Sequence, residues 1–259
     1  MSNLRVFAAS LLATAALCAP AMAVAQTEID FTLGFGAKVA PAYIGSSHMG
    51  VGASGSFALN HIAMGGLAFG SNDPNAQKLG FGLRGAFNLV GARKAADHAE
   101  LTGTNDIGTA VEIGFGLGYE ARDWRAFADL RYGAIGHHST VMEVGSDWKA
   151  LSNERFHLSV GPRLIYGSGR YNATYFGITP AEAVASGGAL AAFAPTAGLV
   201  AAGVEVSGSY RLNDLWAVKG TLRYDRLRGG AAQSPIVAAG SRDQASLKVQ
   251  LTRRFHLAF

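Results

Sequence analysis

The sequence predicts an all-β fold, an antiparallel transmembrane β-barrel of about 10 strands with 12 as the alternative. Three observations predict it. Apolar and polar residues alternate with period two in segment after segment, which places them on opposite faces of pleated strands. The chain opens with an export signal. Beyond that signal, no apolar run approaches the roughly 20 residues that a spanning helix needs, so a membrane-crossing chain of this kind must be a closed barrel.

The export signal is residues 1–25. Arg5 supplies the early positive charge, residues 6–19 the apolar run, and Ala21, Ala23 and Ala25 a small-residue cleavage site before Gln26. The barrel is then residues 26–259. Cys18 is the only cysteine and lies in the signal, so the exported part has no thiol, disulfide or cysteine metal ligand. Composition agrees with short strands and many turns: 34 glycines, 15% charged residues and 10% aromatics. The formal charge of +4 loses one unit with Arg5, and the remainder is too small and too evenly spread for a nucleic-acid partner.

Several strands are legible singly. In residues 247–259, Leu247, Val249, Leu251, Phe255, Leu257 and Phe259 oppose Lys248, Gln250, Thr252, Arg254 and His256. Arg253 interrupts the apolar face. In residues 110–120, Val111, Ile113, Phe115, Leu117 and Tyr119 alternate with Glu112, Gly114, Gly116, Gly118 and Glu120; the glycines read as lumenal packing, since no helix follows them to hold a phosphate. Residues 79–89, 200–211 and 216–225 repeat the pattern, and further strands are expected near 29–39, 124–132, 140–148 and 156–166. Trp124, Trp148, Trp216, Tyr119, Tyr132, Tyr166 and Tyr210 fall near strand ends, where interfacial girdles sit.

Long stretches at 91–108, 178–196 and 229–244 alternate with short connections at 120–123, 150–154 and 212–214. Bacterial barrels have short periplasmic turns and longer outer loops, so the long stretches belong outside. An even strand count then requires an odd number before residue 90. The four apolar runs there reduce to three if one long strand bends across Asn60 and His61, giving 10.

The polar face supplies the candidate functional residues. Lys38, Arg84, Arg125, Arg131, Arg163, Arg211, Lys219, Arg223, Lys248 and Arg254 point inward, opposed by Asp30, Glu112, Glu120, Asp129, Glu205 and Asp225. Cross-strand ion pairs are expected among them. They either rigidify the interior or line a polar path for small solutes that, by charge count, slightly favours anions. His137, His138, Ser139 and Asp147 cluster in sequence near an outer turn, but no nucleophile elbow or metal-binding helix accompanies them, and two solvated loop histidines are the expected reading. No cofactor and no catalytic activity are expected.

The loops then become recognisable. Pro41-Ala42-Tyr43-Ile44-Gly45-Ser46 resembles the P-x-Y-x-G-S signature of the MipA/OmpV family of outer-membrane proteins. Leu101-x-Gly103-x-x-Asp106-Ile107 resembles its next segment, and Tyr175-Phe176-Gly177-Ile178-Thr179 its Y-F-G-V-T block. Tyr210-Arg211-Leu212, Trp216, Tyr224 and Ser234-Pro235-Ile236 are similar to its closing strands. Gly91-Ala92-Arg93 departs from the family, which more often has Gly and Arg adjacent. The resemblance implies a non-enzymatic barrel in the Gram-negative outer membrane, in contact with outer-membrane lipids and lipopolysaccharide. It further implies a scaffold joining a murein-cleaving lytic transglycosylase to a murein synthase; a narrow porin or uptake channel and a surface adhesin are the alternatives. A monomer is expected.

Phe255, Leu257 and Phe259 resemble the carboxy-terminal signal read by barrel-assembly machinery. Burying one such ring contributes about 1.5 to 3 kcal/mol, a loss that a finished barrel survives. Deleting Phe259 should therefore lower outer-membrane abundance and raise the periplasmic pool in cell fractionation, while the purified chain refolds nearly normally in detergent. Unchanged abundance would show the terminal ring to be incidental.

Overall fold

The computed structural model describes residues 27–70 and 79–259, so the expected signal segment lies outside the described residues. Eleven antiparallel strands form one sheet: β1 (Glu28–Pro41), β2 (Met49–Met64), β3 (Leu67–Gly70), β4 (Gly80–Val90), β5 (Ala110–Glu120), β6 (Trp124–Ile135), β7 (Thr140–Ser152), β8 (Phe156–Gly167), β9 (Gly198–Arg211), β10 (Trp216–Leu227) and β11 (Asp243–Ala258). The order is β3-β2-β1-β11-β10-β9-β8-β7-β6-β5-β4. Four short helices lie in the long connections: α1 (Gly169–Phe176), α2 (Pro180–Ala185), α3 (Gly229–Gln233) and α4 (Pro235–Ala239).

The alternation becomes geometry in a direct way. On one face of the sheet Phe35, Val51 and Phe81 are 77%, 82% and 85% exposed, with Phe115, Leu117, Leu222 and Val249 exposed beside them. Soluble monomers rarely leave apolar patches of more than a few hundred Å² open to water, so this face belongs to hydrocarbon. The opposite face carries buried Asp30, Glu112, Asp129, Arg131, Asp147 and Arg163. Exposed aromatics mark both ends of the apolar face. Trp124 sits opposite Trp148, and Tyr119 packs on Trp124 and Phe81 at ring-centroid distances of 5.5 and 4.9 Å. Arg253 is accommodated on the apolar side by lying over the rings of Trp216 and Phe255, at 5.2 and 5.1 Å.

Ten strands run 11 to 16 residues, and the four-residue β3 is an eleventh that the sequence pattern does not separate from its neighbour. β2 passes through Asn60 and His61 without a break, and its register against β1 shifts between Asp30 and Phe31, so the bend is a bulge. Asn60 Nδ2 uses the freedom of that bulge to donate to Asp30 Oδ1 at 2.8 Å. After Met64, the turn at Gly65 and Gly66, with φ of +60° and +83°, folds β3 back onto β2.

The first and last strands meet inside the sheet. β1 pairs with β11 from Glu28↔Ala258 to Val39↔Leu247, and Thr27 and Phe259 exchange both backbone hydrogen bonds, at 2.9 and 3.0 Å. The sheet edges are instead β2 with β3 on one side and β4 on the other. Side chains close this seam. Phe57 of β2 covers Gly85 of β4, and Phe87 of β4 covers Gly55 of β2, where an added Cβ would come within 2.8 Å of the Phe87 ring.

If the exposed face meets lipid, Phe115→Arg or Leu222→Arg should lower stability by roughly 2 to 4 kcal/mol where the site lies at the bilayer midplane. A side chain at Gly116 should act differently, by crowding Asp129 and the Ala128 carbonyl. Urea unfolding followed by heat-modifiable gel mobility measures both. Equal tolerance of Arg on the two faces would overturn the lipid-facing assignment.

Candidate functional site: a capped, charge-lined lumen

The lumenal side chains form a connected network along β4 to β10. Arg84 Nε donates to Asp129 Oδ1 at 3.0 Å. Asp147, fully buried, accepts from Arg125 and from Arg163, both at 2.7 Å. Arg163 also reaches Glu205 at 3.0 Å. Glu143 accepts from Arg131 at 3.1 Å and from Arg223 at 2.7 Å, and Arg131 donates onward to Glu112 at 2.9 Å. Because β7 and β10 are not neighbours in the sheet, the Arg223–Glu143 pair crosses the lumen. Phe127, also lumenal, lies between Arg84 and Arg163, whose guanidinium carbons stand 4.3 and 5.1 Å from its ring centre. Charges taken this far from water persist only when paired and hydrogen-bonded.

Of the other predicted lumenal residues, Asp225 joins that network and the rest are placed apart from it. Asp225 binds Arg223 Nε at 2.7 Å. Arg254 binds Asp30 at 2.8 Å near the short-turn end, and Arg211 stands at the last position of β9 at that same end. Lys38, Lys219 and Lys248 lie on β1, β10 and β11; Lys38 faces Lys248 directly across the β1–β11 ladder, and Lys219 faces Gln250. Lys38 Nζ reaches beyond β2 and donates to the Leu89 carbonyl of β4 at 2.9 Å. Phe255 stacks on Phe31 at 5.3 Å, while Leu257 and Phe259 are exposed at the end of β11.

Three contributors escape the sequence reading: Glu143, the lumenal position of Asp147, and Phe127. Their signal was present. Met142, Val144 and Trp148 alternate outward along β7, which sends Glu143 and Asp147 inward. Phe127 was hidden because an apolar side chain on a lumenal position breaks the polar alternation.

The long connections pack together over one mouth of the barrel, an arrangement that the sequence, read as loops of polar and small residues, does not disclose. Tyr171, Tyr175 and Phe176 of α1 join Val200, Leu227, Ala231 and Val237 in one apolar cluster, and Tyr43, Leu101, Ile178, Leu190 and Ile236 form a second. Leu101, Phe176 and Ile236 have no exposed surface. Polar ties fix the parts. Tyr43 Oη donates to Glu100 at 2.9 Å, Arg93 donates to the Tyr175 carbonyl at 2.9 Å, and Ser234 Oγ donates to the Phe176 carbonyl at 2.7 Å. α2 begins with a capping box between Thr179 and Glu182. Burial opposes the Glu182 carboxylate, but hydrogen bonds from Asn105 and Thr179 prevail and hold it below the usual carboxylate range.

His137 is corrected by this cap. It is buried, with Nδ1 2.6 Å from Ser139 Oγ and Nε2 3.2 Å from Glu112, and its ring packs edge-on against Tyr171 and Tyr175. Only His138 of the pair is exposed, at a left-handed φ of +46°. Asp147 is remote from both and belongs to the Arg125–Arg163 cluster. The Ser–His–Glu contact resembles a triad in composition, yet all three members are buried, and the Glu112 carboxylate is already engaged by Arg131 and Asn88. It ties the β6–β7 turn to the lumen. Among the described residues no group of His, Cys, Asp or Glu is arranged to hold a metal ion. Beneath the cap lies a cavity of about 610 Å³.

An antiparallel sheet curved into a barrel, its edges meeting through side chains, apolar outside, charged inside and with its long connections gathered at one end, defines an outer-membrane β-barrel. The chain matches the family described as MltA-interacting protein MipA over residues 33–255, and it belongs to that family. Against curated protein sequences it has no significant match. Similar solved structures include an outer membrane channel from Pseudomonas putida F1, at 10% identity and a TM-score of 0.41, covering 88% of this chain and 95% of that one. The outer membrane protein OprG from Pseudomonas aeruginosa is similar at 11% identity and a TM-score of 0.31, covering 88% and 97%. Likenesses this distant concern barrel architecture alone.

Removing one partner of a buried pair is expected to cost about 3 to 5 kcal/mol, because the remaining charge is stranded. Arg131→Met deprives Glu112 of its only guanidinium, whereas Glu143 keeps Arg223. Denaturant unfolding should show a loss of that size, and the double change Arg131→Met with Glu112→Gln should recover part of it. A loss under about 1 kcal/mol would mean that the network is solvated like a surface.

Proposed function

We propose that this protein is a non-enzymatic, monomeric outer-membrane scaffold that brings a murein-cleaving transglycosylase and a murein synthase together at its periplasmic face. The observation that carries this reading is the obstruction of the lumen: apolar clusters seal one mouth, and the Arg223–Glu143 pair spans the interior. Such a barrel is suited to work from its surfaces. The family description, an MltA-interacting protein, supports the same reading.

In the proposed orientation the signal at residues 1–25 is cleaved after export, assembly machinery inserts the barrel, and the short-turn end faces the periplasm, with the cap outside among lipopolysaccharide. That periplasmic end exposes Met64, Leu67, Leu151, Leu212 and Leu215 on or beside its turns. Apolar side chains at that level favour protein contact over a purely solvated surface.

Two measurements on the purified barrel test the reading. Planar-bilayer recording should give no steady conductance steps, and the barrel should retain both a lytic transglycosylase and a murein synthase from detergent extracts in stoichiometric amounts. Steady, ion-selective currents together with no enzyme retention would overturn the scaffold in favour of a channel.

A further inference from the structure

The cavity under the cap has no part in the scaffold reading, and its walls are unusual for a sealed lumen. It is lined by residues from both faces of the β2–β4 seam: Gly52 and Asn88 lie on the lumenal side, Phe57 and Phe87 on the lipid side. The space therefore reaches through the junction that, among the described residues, no backbone ladder closes.

Its inner wall carries both signs of charge, with Glu143, Glu205 and Asp225 gathered around Arg223 and Asp225 Oδ1 left without a partner, but its lysines stand apart from those carboxylates. Lys38 and Lys248 face each other across the β1–β11 ladder, an arrangement of like charges that is unfavourable unless an anion intervenes. No carboxylate lies within 4.0 Å of either ammonium among the described residues; Lys38 has only the Leu89 carbonyl. The Tyr175 hydroxyl, on a side chain only 3% exposed, lacks a hydrogen-bond partner, and so does Nη2 of Arg223. Both residues line the same cavity.

We infer that this cavity binds a single-chain amphipathic carboxylate that enters from the bilayer between β2 and β4. The head group is held by Lys38, Lys248, Arg223 and Tyr175, each of which offers a donor that a carboxylate accepts. The acyl chain lies in the seam between Phe57 and Phe87, where the facing glycines Gly55 and Gly85 leave no side chain of their own. Aromatic rings covering glycine part without breaking a ladder of backbone hydrogen bonds, since none joins these edges among the described residues. Bonding of Lys38 to the β4 carbonyl keeps the seam shut in the empty state, and a bound carboxylate competes for that same ammonium.

The test uses the full barrel in nanodiscs of zwitterionic phospholipid and a sixteen-carbon carboxylate carrying a nitroxide on its chain. Binding is read as an immobilised component in the spin-label spectrum. The carboxylate should bind saturably and at least tenfold more tightly than the alcohol of the same chain length. Lys38→Gln with Lys248→Gln should remove that preference, whereas Arg228→Gln with Arg242→Gln, an equal charge change at exposed positions outside the cavity, should leave it intact. If the double lysine variant loses heat-modifiable mobility, Lys248→Gln alone and the alcohol comparison on the unaltered protein decide. Equal binding of carboxylate and alcohol would overturn the head-group site, and competition by acetate as effective as by the unlabelled long chain would overturn entry through the seam.

Discussion

The bilayer offers a backbone no hydrogen-bond partners, and the rest of this structure follows from that constraint. Ten ladders join the eleven strands into one sheet, and curving that sheet into a barrel leaves two surfaces with opposite requirements. The outer one must match hydrocarbon, so it collects Phe, Leu and Val. Polar side chains are then concentrated in a narrow interior, where the arginines and carboxylates pair with one another. The network around Arg131, Glu143, Arg163 and Arg223 is the result. Its members reach over several strands, so it holds the cross-section in shape as well as neutralising it. Replacing such a network by apolar groups is often compatible with stability; here apolar groups would leave the interior without the polar character that distinguishes inside from outside.

The loop segments that carry the family resemblance converge on the cap, whereas Tyr210, Trp216 and Tyr224 lie on β9 and β10. Tyr43 and Gly45 of the first motif contact Glu100 and Val237. Leu101 of the second is wholly buried, and Asp106 accepts from the Ala95 amide at 2.8 Å. Phe176 of the third is bound through its carbonyl by Ser234 of the fourth. Gly103, at a φ of +88°, lets its loop run against the backbone of Ala185 and Ser186, where a side chain would collide. These motifs are therefore packing instructions for one small apolar core. Arg93, at the position where the chain departs from the family spacing, still enters that core by donating to Tyr175.

The strands were largely legible in the sequence because period two is a local property: residues 110–120 read as a strand, and β5 has those bounds. Aromatic ends and short turns were legible for the same reason. Two kinds of feature were not. The helices of the long connections are five to eight residues long, too short for a helical period to stand out, and they fold because tertiary contacts hold them. The interior pairing also depends on which strands face each other across the lumen. Arg223 and Glu143 are 80 residues apart, and nothing in either segment names the other. β3 and the Asn60 bulge belong to this second class, since a register shift is defined only by the partner strand.

Where the sheet is not laced by backbone bonds, the cap serves as a clasp. The connection after β1 stands on one side of the seam and the connection after β4 on the other. Tyr43 and Glu100 join them above it, with Leu101 packed in the cluster that contains Tyr43. The two edges are thus held twice, by rings laid over facing glycines at the level of the acyl chains and by a hydrogen-bonded aromatic lock outside it. A barrel fastened in this way is stiff around most of its circumference and compliant along a single line, so thickness changes or lateral pressure in the surrounding membrane are felt first at that line and passed to the cap.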